Sequence, residues 1–137
     1  MGAEENKALV LHFYEQLDAG NLDAVGEAFS PTCVVHYPGN VELHGPQGYK
    51  DNLSPFLTGL PDFEHIIEDI IAVGDKVVAR FRISATHKGE FFRIAPTGKK
   101  VTFTAIGIFC IHEGKMDEAW VEFDALGLMR QLGASPS

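Results

Sequence analysis

Residues 99–124 read KKVTFTAIGIFCIHEGKMDEAWVEFD, and this stretch decides the fold. Large apolar side chains recur along it with the period of two that a β-strand gives. The dipeptide Glu113-Gly114 interrupts this pattern with residues that are typical of a tight turn. The stretch therefore predicts two strands, 99–112 and 115–124, that pair as an antiparallel hairpin.

The residues before this hairpin continue the same pattern back to Pro61. Alternation predicts three earlier strands at 63–73, 76–87 and 89–94. Gly74-Asp75 gives a tight turn between the first two, and Ala95-Pro96-Thr97-Gly98 gives a longer turn before residue 99. The second half of the chain is thus predicted to be an antiparallel meander.

The first half is mainly helical. Apolar residues spaced three and four apart predict an amphipathic helix at 4–18, whose inward face is Leu9, Val10, Phe13, Tyr14 and Leu17. The other predicted elements of this half are a short helix through Val25 and Phe29, a strand at 33–37 and a helix at 46–58 that contains Pro55. After the meander, a last short helix is predicted at 125–132.

Helices that precede a meander predict an α+β fold, in which the helices pack on one face of a strongly curved, mostly antiparallel sheet. A length of 137 residues predicts a single domain, 1–137, with its core at about 8–133. Such a sheet leaves room for an internal pocket at its open end.

Composition excludes several classes of partner. The net charge is −8, and the 11 Lys and Arg residues are scattered, which disfavours nucleic acid and anionic membranes. No apolar run approaches the ~20 residues of a membrane span, and the N-terminus lacks a signal-peptide pattern. We therefore expect a cytoplasmic location, with Cys33 and Cys110 as reduced thiols.

Short motifs in a fixed order resemble one known family. They are Ala19-Gly20-Asn21, Val35-His36-x-Pro38, Thr86-His87-Lys88-Gly89-Glu90-Phe91, Ala95-Pro96-Thr97-Gly98-Lys99, Glu113-Gly114-Lys115-Met116, Trp120-x-x-x-Asp124 and Gln131-Leu132-Gly133. Over about residues 8–133 the chain resembles the SnoaL-like polyketide cyclases. This resemblance implies the nuclear-transport-factor-2-like fold, a cone-shaped barrel with a deep pocket for a small hydrophobic organic ligand.

The resemblance also implies a reaction, the intramolecular aldol closure of a polyketide ring without a metal or organic cofactor. The family's acid/base aspartate matches Asp124, and an assisting asparagine matches Asn52. Two other polar positions of the family are occupied here by Leu17 and Cys110. These departures keep a second function open, a non-catalytic module that binds a small ligand or mediates dimerisation.

Each catalytic candidate has a structural alternative. Asp124 directly precedes 125–132, so it is also a candidate N-cap of that helix, and both roles can coexist. Asn52 lies near Pro55, where a surface or capping role is the default. Trp120, Glu122 and Asp124 share one face of the last strand, which is either plain solvent surface or a polar wall of the pocket.

Histidines and one tyrosine complete the predicted ligand-binding set. No pair of histidines has the spacing of a metal site, so no metal is expected. His44 is placed at the pocket rim and His87 at a strand end. The substrate-binding candidates are His36, Trp120, Tyr14, His44, His87 and Glu122.

The strand at 99–112 also bears on assembly. Both of its faces carry large apolar residues: Val101, Phe103, Phe109 and Ile111 on one, Ile106 and Ile108 on the other. Exposing either set would leave a sizeable apolar patch. A homodimer formed through the sheet face is therefore predicted.

Overall fold

The computed structural model describes residues 2–134 and contains four helices and six strands within that range. The helices are α1 (Ala3–Asp18), α2 (Ala24–Ala28), α3 (Gly45–Gly59) and α4 (Ala125–Gln131). The strands are β1 (Phe29–Tyr37), β2 (Val41–His44), β3 (Glu64–Val73), β4 (Lys76–Thr86), β5 (Lys100–His112) and β6 (Lys115–Phe123).

The six strands form one curved, mixed sheet in the order β2-β1-β6-β5-β4-β3. β1 pairs with β6 in parallel, and every other neighbouring pair is antiparallel. This confirms the predicted α+β class. The predicted barrel is not closed, because β2 and β3 stand at opposite ends of the strand order.

Two parts of the strand prediction were wrong. Residues 89–94 do not form a strand: Phe92 and Arg93 have positive φ angles of 48° and 63°, and the segment makes only the bridge between Phe91 and Ile94. The unpredicted strand β2 follows the turn after Tyr37 and pairs back on β1. Its four residues are too few to give a readable alternation.

The core lies between the helices and the concave face of the sheet. The predicted inward face of α1 is buried at Val10, Phe13, Tyr14 and Leu17. Pro55 sits inside α3 without ending it. Alternate residues of β5 point into the core, as its strict alternation of exposed and buried positions from Lys100 to Phe109 shows.

Close packing holds the loop 87–99 against the end of α3. Lys88 and Gly89 both donate backbone hydrogen bonds to the Gly59 carbonyl, at 3.0 and 3.2 Å. A Cβ atom on Gly89 would lie 2.1 Å from the Thr58 carbonyl oxygen, so this contact requires glycine. The loop therefore has a fixed position. This places Phe92 at a surface cleft between α3 and the ends of β1 and β6, which we call the mouth of the fold.

Three further features concern the cysteines, membrane-spanning helices and metal-binding clusters. Cys33 is buried, Cys110 is half-buried, and neither forms a disulfide. Between residues 2 and 134, no helix combines the length and apolar character that a membrane span requires. The same range holds no cluster of three or more His, Cys, Asp or Glu side chains suited to a metal ion.

Candidate active site

The concave face of the sheet encloses a small apolar cavity. Its volume is about 40 Å³, enough for a few water molecules, and most of its wall is aromatic and aliphatic. Four lining residues carry polar groups, namely Tyr14, Tyr37, Tyr49 and His65. A mostly apolar space with a few convergent polar groups is the usual form of a small-molecule site.

A larger cleft of about 480 Å³ lies at the mouth of the fold. Its wall includes Asn52, and Phe92 from the loop 87–99. Tyr37, Phe56 and Phe123 line both the cleft and the inner cavity, so these three rings separate the two spaces.

Asp18 holds His65 at the wall of the cavity. The Asp18 carboxylate accepts a hydrogen bond from the His65 backbone N–H at 2.8 Å, and its other oxygen lies 2.6 Å from His65 Nδ1. The His65 side chain is 10% exposed. A carboxylate on Nδ1 makes Nδ1 the donor, which leaves Nε2 as the nitrogen that can exchange a proton.

Two buried tyrosines, Tyr14 and Tyr49, and the half-buried Tyr37 supply hydroxyl groups to the same cavity. Loss of solvent on burial is the main cause that raises the pKa of Tyr14, Tyr37 and Tyr49 well above the ordinary value of tyrosine. All three therefore stay protonated near neutral pH. They act as neutral hydrogen-bond donors and acceptors within the cavity.

Asn52 is half-buried in the wall of the cleft. Its Nδ2 atom is buried and has no hydrogen-bond partner among the described residues. Burial raises the pKa of the Tyr37 hydroxyl, and hydrogen bonding by the Asn52 side chain acts in the opposite direction, so Tyr37 is the nearest acceptor for this amide. A buried amide N–H without a partner is costly, and a ligand acceptor in the cleft would remove that cost.

Asp124 has the helix-capping role that was one of its two predicted roles. It is the N-cap of α4, and its Oδ1 accepts a hydrogen bond from the Gly127 backbone N–H at 2.8 Å. The residue is exposed and does not line the cleft, although its neighbours Phe123 and Ala125 do. Asp124 thus stands at the edge of the cleft, and one of its oxygens is engaged in capping.

The structure corrects the placement of two predicted pocket residues, Trp120 and Glu122. Both side chains are exposed on the outer face of the sheet, while Val121 and Phe123 point to the cavity. Strand parity puts alternate residues on opposite faces, so one strand cannot send both sets inward. The solvent-surface alternative therefore describes Trp120 and Glu122.

His36 and His44 also lie away from the cavity. The His36 ring stacks on Trp120 with centroids 5.0 Å apart, and its Nε2 lies 2.7 Å from Glu118 Oε2. His44 is exposed, with its Nε2 3.1 Å from Glu42 Oε1. Both histidines belong to the outer face and edge of the sheet and not to the predicted pocket lining.

His87 is buried inside the loop 87–99 and does not reach the cavity or the cleft. Its Nδ1 accepts a hydrogen bond from the Thr97 backbone N–H at 3.2 Å and lies 3.0 Å from Thr97 Oγ1. This agrees with hydrogen bonding at a strand end and not with contact to a ligand.

Of the predicted site residues, only Tyr14 and Asn52 line a cavity or cleft. Sequence reasoning missed Tyr37, Tyr49 and the pair Asp18–His65. The two tyrosines were readable in principle, because each lies in a predicted element among inward apolar residues. Asp18 and His65 are 47 positions apart, and no motif joins them.

A curved sheet covered by helices on its concave face, with an apolar cavity between, defines the nuclear-transport-factor-2-like class of α+β proteins. Within that class, the model of the SnoaL-like polyketide cyclases matches residues 8–132. The chain belongs to the SnoaL-like polyketide cyclase family. The predicted resemblance and its extent are thereby confirmed.

Solved structures support the same assignment. AclR from Streptomyces galilaeus is 26% identical with a TM-score of 0.90, and the match covers 99% of this chain and 89% of AclR. TsrD from Streptomyces laurentii is 27% identical with a TM-score of 0.85 and 98% coverage of both chains. IdmH from Streptomyces antibioticus is 25% identical with a TM-score of 0.84, covering 94% of this chain and 99% of IdmH.

The descriptions of these relatives differ. AclR carries a provisional description as a hydroxylase, and IdmH one as a polyketide cyclase. A comparison with curated proteins finds no match to this chain. The shared fold therefore does not decide the reaction, which has to be argued from the site.

Proposed function

We propose that this protein is an enzyme that closes a ring in a small, apolar polycarbonyl compound by an intramolecular aldol-type step. One observation carries this proposal: the Asn52 amide is buried at the cleft wall with an unpartnered Nδ2. A ligand carbonyl oxygen is the acceptor that such a donor lacks. The apolar character of cleft and cavity suits the carbon skeleton of such a compound.

An aldol closure needs a base and a hydrogen-bond donor for the developing oxyanion. The base removes a proton from the carbon beside one carbonyl. The resulting carbanion bonds to the carbon of a second carbonyl, whose oxygen then takes up a proton. Loss of water from this product gives a cyclic enone.

We assign the base to Asp124, as the family resemblance implies, and the donor to Asn52. Oδ1 of Asp124 is held by the N–H of Gly127, which leaves Oδ2 for a substrate proton. Phe123 and Ala125, on either side of Asp124, line the cleft. To reach a ligand in that cleft, the carboxylate has to turn away from Gly127 and give up its capping hydrogen bond.

The test uses a linear diketone whose two ketones are separated by three methylene groups, because its aldol closure yields a cyclic enone that absorbs in the ultraviolet. Asn52→Leu keeps the approximate volume and removes the donor. We expect it to lower kcat at least about tenfold and to leave the fold as stable as before or slightly more stable, because an unsatisfied buried group is lost. Gln47→Leu, an exposed amide of the same helix, is the matched control.

A second pair of variants separates capping from catalysis at Asp124. Asp124→Asn preserves a good N-cap residue and removes the base, so we expect unchanged stability and a loss of turnover of about 100-fold. Glu122→Gln, the exposed carboxylate two residues earlier, should leave turnover unchanged. Full activity in Asp124→Asn would exclude Asp124 as the base.

A non-catalytic binding module is the second candidate function. The inner cavity has room for only a few waters, and the side chain at one expected polar position, Leu17, is part of its apolar wall. Under this alternative the cyclic enone product would bind, and the diketone would bind without turning over. Measured turnover of the diketone by the wild-type protein would exclude it.

We also propose that the protein forms a homodimer through the outer face of its sheet. Ile66, Ile106, Ile108 and Trp120 are large apolar residues that are 37–49% exposed there. Large apolar side chains grouped on one sheet face favour a partner surface, and a second copy of the same face is the simplest one.

A further inference from the structure

Asp18 contacts His65 at two points, its backbone N–H and its ring, and packing alone does not require both. The carboxylate of Asp18, at the end of α1, holds both the backbone N–H and the ring of His65, near the start of β3. Both Asp18 oxygens are thereby used on one residue. The ring of His65 is fixed in position and in tautomer, since Nδ1 faces a carboxylate.

The ring fixed in this way lies at the wall of the inner cavity. Its other neighbours are aromatic: the centroid of Tyr14 is 4.6 Å away, that of Phe63 5.5 Å and that of Phe81 5.6 Å. Apart from the carboxylate of Asp18, none of these neighbours carries a charge. A proton exchanged by His65 would therefore pass through Nε2, on the side of the ring away from Asp18.

A second aspartate provides a structural comparison. Asp62 holds Thr86 in the same two-point manner, with its oxygens 2.7 Å from the Thr86 backbone N and from Thr86 Oγ1. Neither Asp62 nor Thr86 lines the inner cavity. The Asp62–Thr86 contact shows that an aspartate can fix a strand end without a histidine. The Asp18–His65 contact differs because it places an imidazole ring at the cavity wall.

We propose that His65 is an acid–base residue of the inner cavity, that Asp18 is its positioning residue, and that the ligand group it acts on is a carbonyl oxygen. This inference rests on the proposed aldol-type function and adds the acid that the function leaves unassigned. The inner cavity, at about 40 Å³, is too small for the whole molecule. The proposal therefore places the carbonyl end of the ligand in the cavity and its body in the cleft, which requires the shared rings of Tyr37, Phe56 and Phe123 to move apart.

The proton balance of the step is complete with these residues. The step requires a proton on each ring nitrogen of His65, with the Nδ1 proton donated to Asp18. As the new carbon–carbon bond forms, the Nε2 proton moves to the oxygen of the accepting carbonyl and leaves a neutral ring. His65 then takes a proton from water, and Asp124 returns to water the proton that it removed from carbon.

The kinetic test compares three variants on the same linear diketone. His65→Phe keeps an aromatic ring in the aromatic surroundings and removes proton transfer, so kcat should fall about 100-fold or more. Asp18→Asn keeps the size and one acceptor oxygen but removes the charge, so kcat should fall while KM stays within about twofold. His112→Gln, an exposed histidine on β5, should match the wild type.

Nuclear magnetic resonance of the ¹⁵N-labelled His65 ring gives a readout that does not depend on turnover. Titration of the wild-type protein with the cyclic enone should shift the Nε2 resonance, and Asp18→Asn should change the tautomer that the ring adopts. The tautomer reports whether Asp18 holds Nδ1, and the enone-induced shift of Nε2 is the response that a merely structural contact would not give. This measurement also stands if His65→Phe fails to fold.

The outcomes separate the two proposals. If the wild type converts the diketone and His65→Phe does so equally well, the His65 inference is overturned and the proposed function stands. If the wild type converts no diketone, the proposed function fails. In that case an Nε2 resonance that shifts with the enone still supports His65 as the carbonyl-binding residue, and an unchanged resonance overturns it.

Discussion

The inner and outer faces of the same sheet differ in the exposure of their side chains and in the placement of their polar groups. On β6, Val121 is 7% exposed and borders the cavity, whereas its neighbour Trp120 is 38% exposed on the other side. Inside, polar groups are few and held at fixed points, as Asp18 holds His65. Outside, charges meet in exposed pairs such as Arg80 and Glu68, at 2.9 Å. The comparison teaches that the inner face suits the proposed ligand chemistry, and the outer face the proposed association of two copies.

The largest expected effect contrasts two neighbours on β4. Phe81 is buried in the core at 1% exposure, and Arg82 lies on the outer face. Phe81→Ala should lower the free energy of unfolding by about 3–5 kcal/mol, because it leaves a cavity. Arg82→Ala should cost no more than about 1 kcal/mol. Urea denaturation measures both, and equal losses would contradict the division between the faces.

The next effect concerns association. Ile106→Glu places a charge on the outer face, where Ile106 is 49% exposed. We expect it to change the free energy of unfolding of the monomer by less than about 1 kcal/mol and to dissociate the dimer. Sedimentation measures the mass of each form. A wild-type protein that is monomeric at high concentration would refute the proposed dimer.

A smaller effect is expected in the acid stability of Asp62→Asn. Hydrogen bonds from the Thr86 hydroxyl and backbone N–H lower the pKa of Asp62 below its usual value. A lowered pKa in the folded state contributes stability above the unfolded-state value of ~3.9, and that contribution disappears as the pH falls through the folded-state value. Asp62→Asn should therefore lose stability at neutral pH and show a weaker decline below about pH 4.

Thermal unfolding at several pH values measures this difference. Turnover of the diketone by Asp62→Asn should equal that of the wild type, in contrast to Asp18→Asn. Equal losses of turnover in the two variants would remove the distinction between an aspartate that positions a cavity residue and one that ties a strand end.

The smallest effect is expected from the exposed ion pairs. Glu68 lies 2.9 Å from Arg80 Nη1 and 3.3 Å from Arg82 Nε. Glu68→Gln should change the free energy of unfolding by about 0–1 kcal/mol, because solvent screens these charges. Calorimetry with and without added salt measures it. A loss near that of Phe81→Ala would show that the outer charges stabilise the fold as strongly as the core does.

The sequence predicted the elements with long, regular periods. The helix at 4–18 and the strands at 76–87, 99–112 and 115–124 agree with α1, β4, β5 and β6 to within about one residue at each end. Short elements were harder to predict: β2 has four residues, and the alternation at 89–94 occurs in a loop whose backbone turns at Phe92 and Arg93. In both places tertiary contacts outweigh the local pattern.

The site was less predictable than the fold. Period two assigns residues of β6 to two faces but does not say which face is inside, so Trp120 and Glu122 were placed in the pocket. The contact of Asp18 with His65 depends on how α1 crosses β3, and residue spacing carries no record of that. Asn52 and Tyr14 were found because the family resemblance pointed to the first and helical periodicity to the second.

The central claim is that the concave side of the sheet binds a carbonyl compound. A crystal structure of the protein with the cyclic enone tests it most directly. We predict that the enone lies in the cleft and cavity, with its oxygen within hydrogen-bonding distance of Asn52 Nδ2 or His65 Nε2. An enone bound on the outer face, against His36 and Trp120, would contradict the claim.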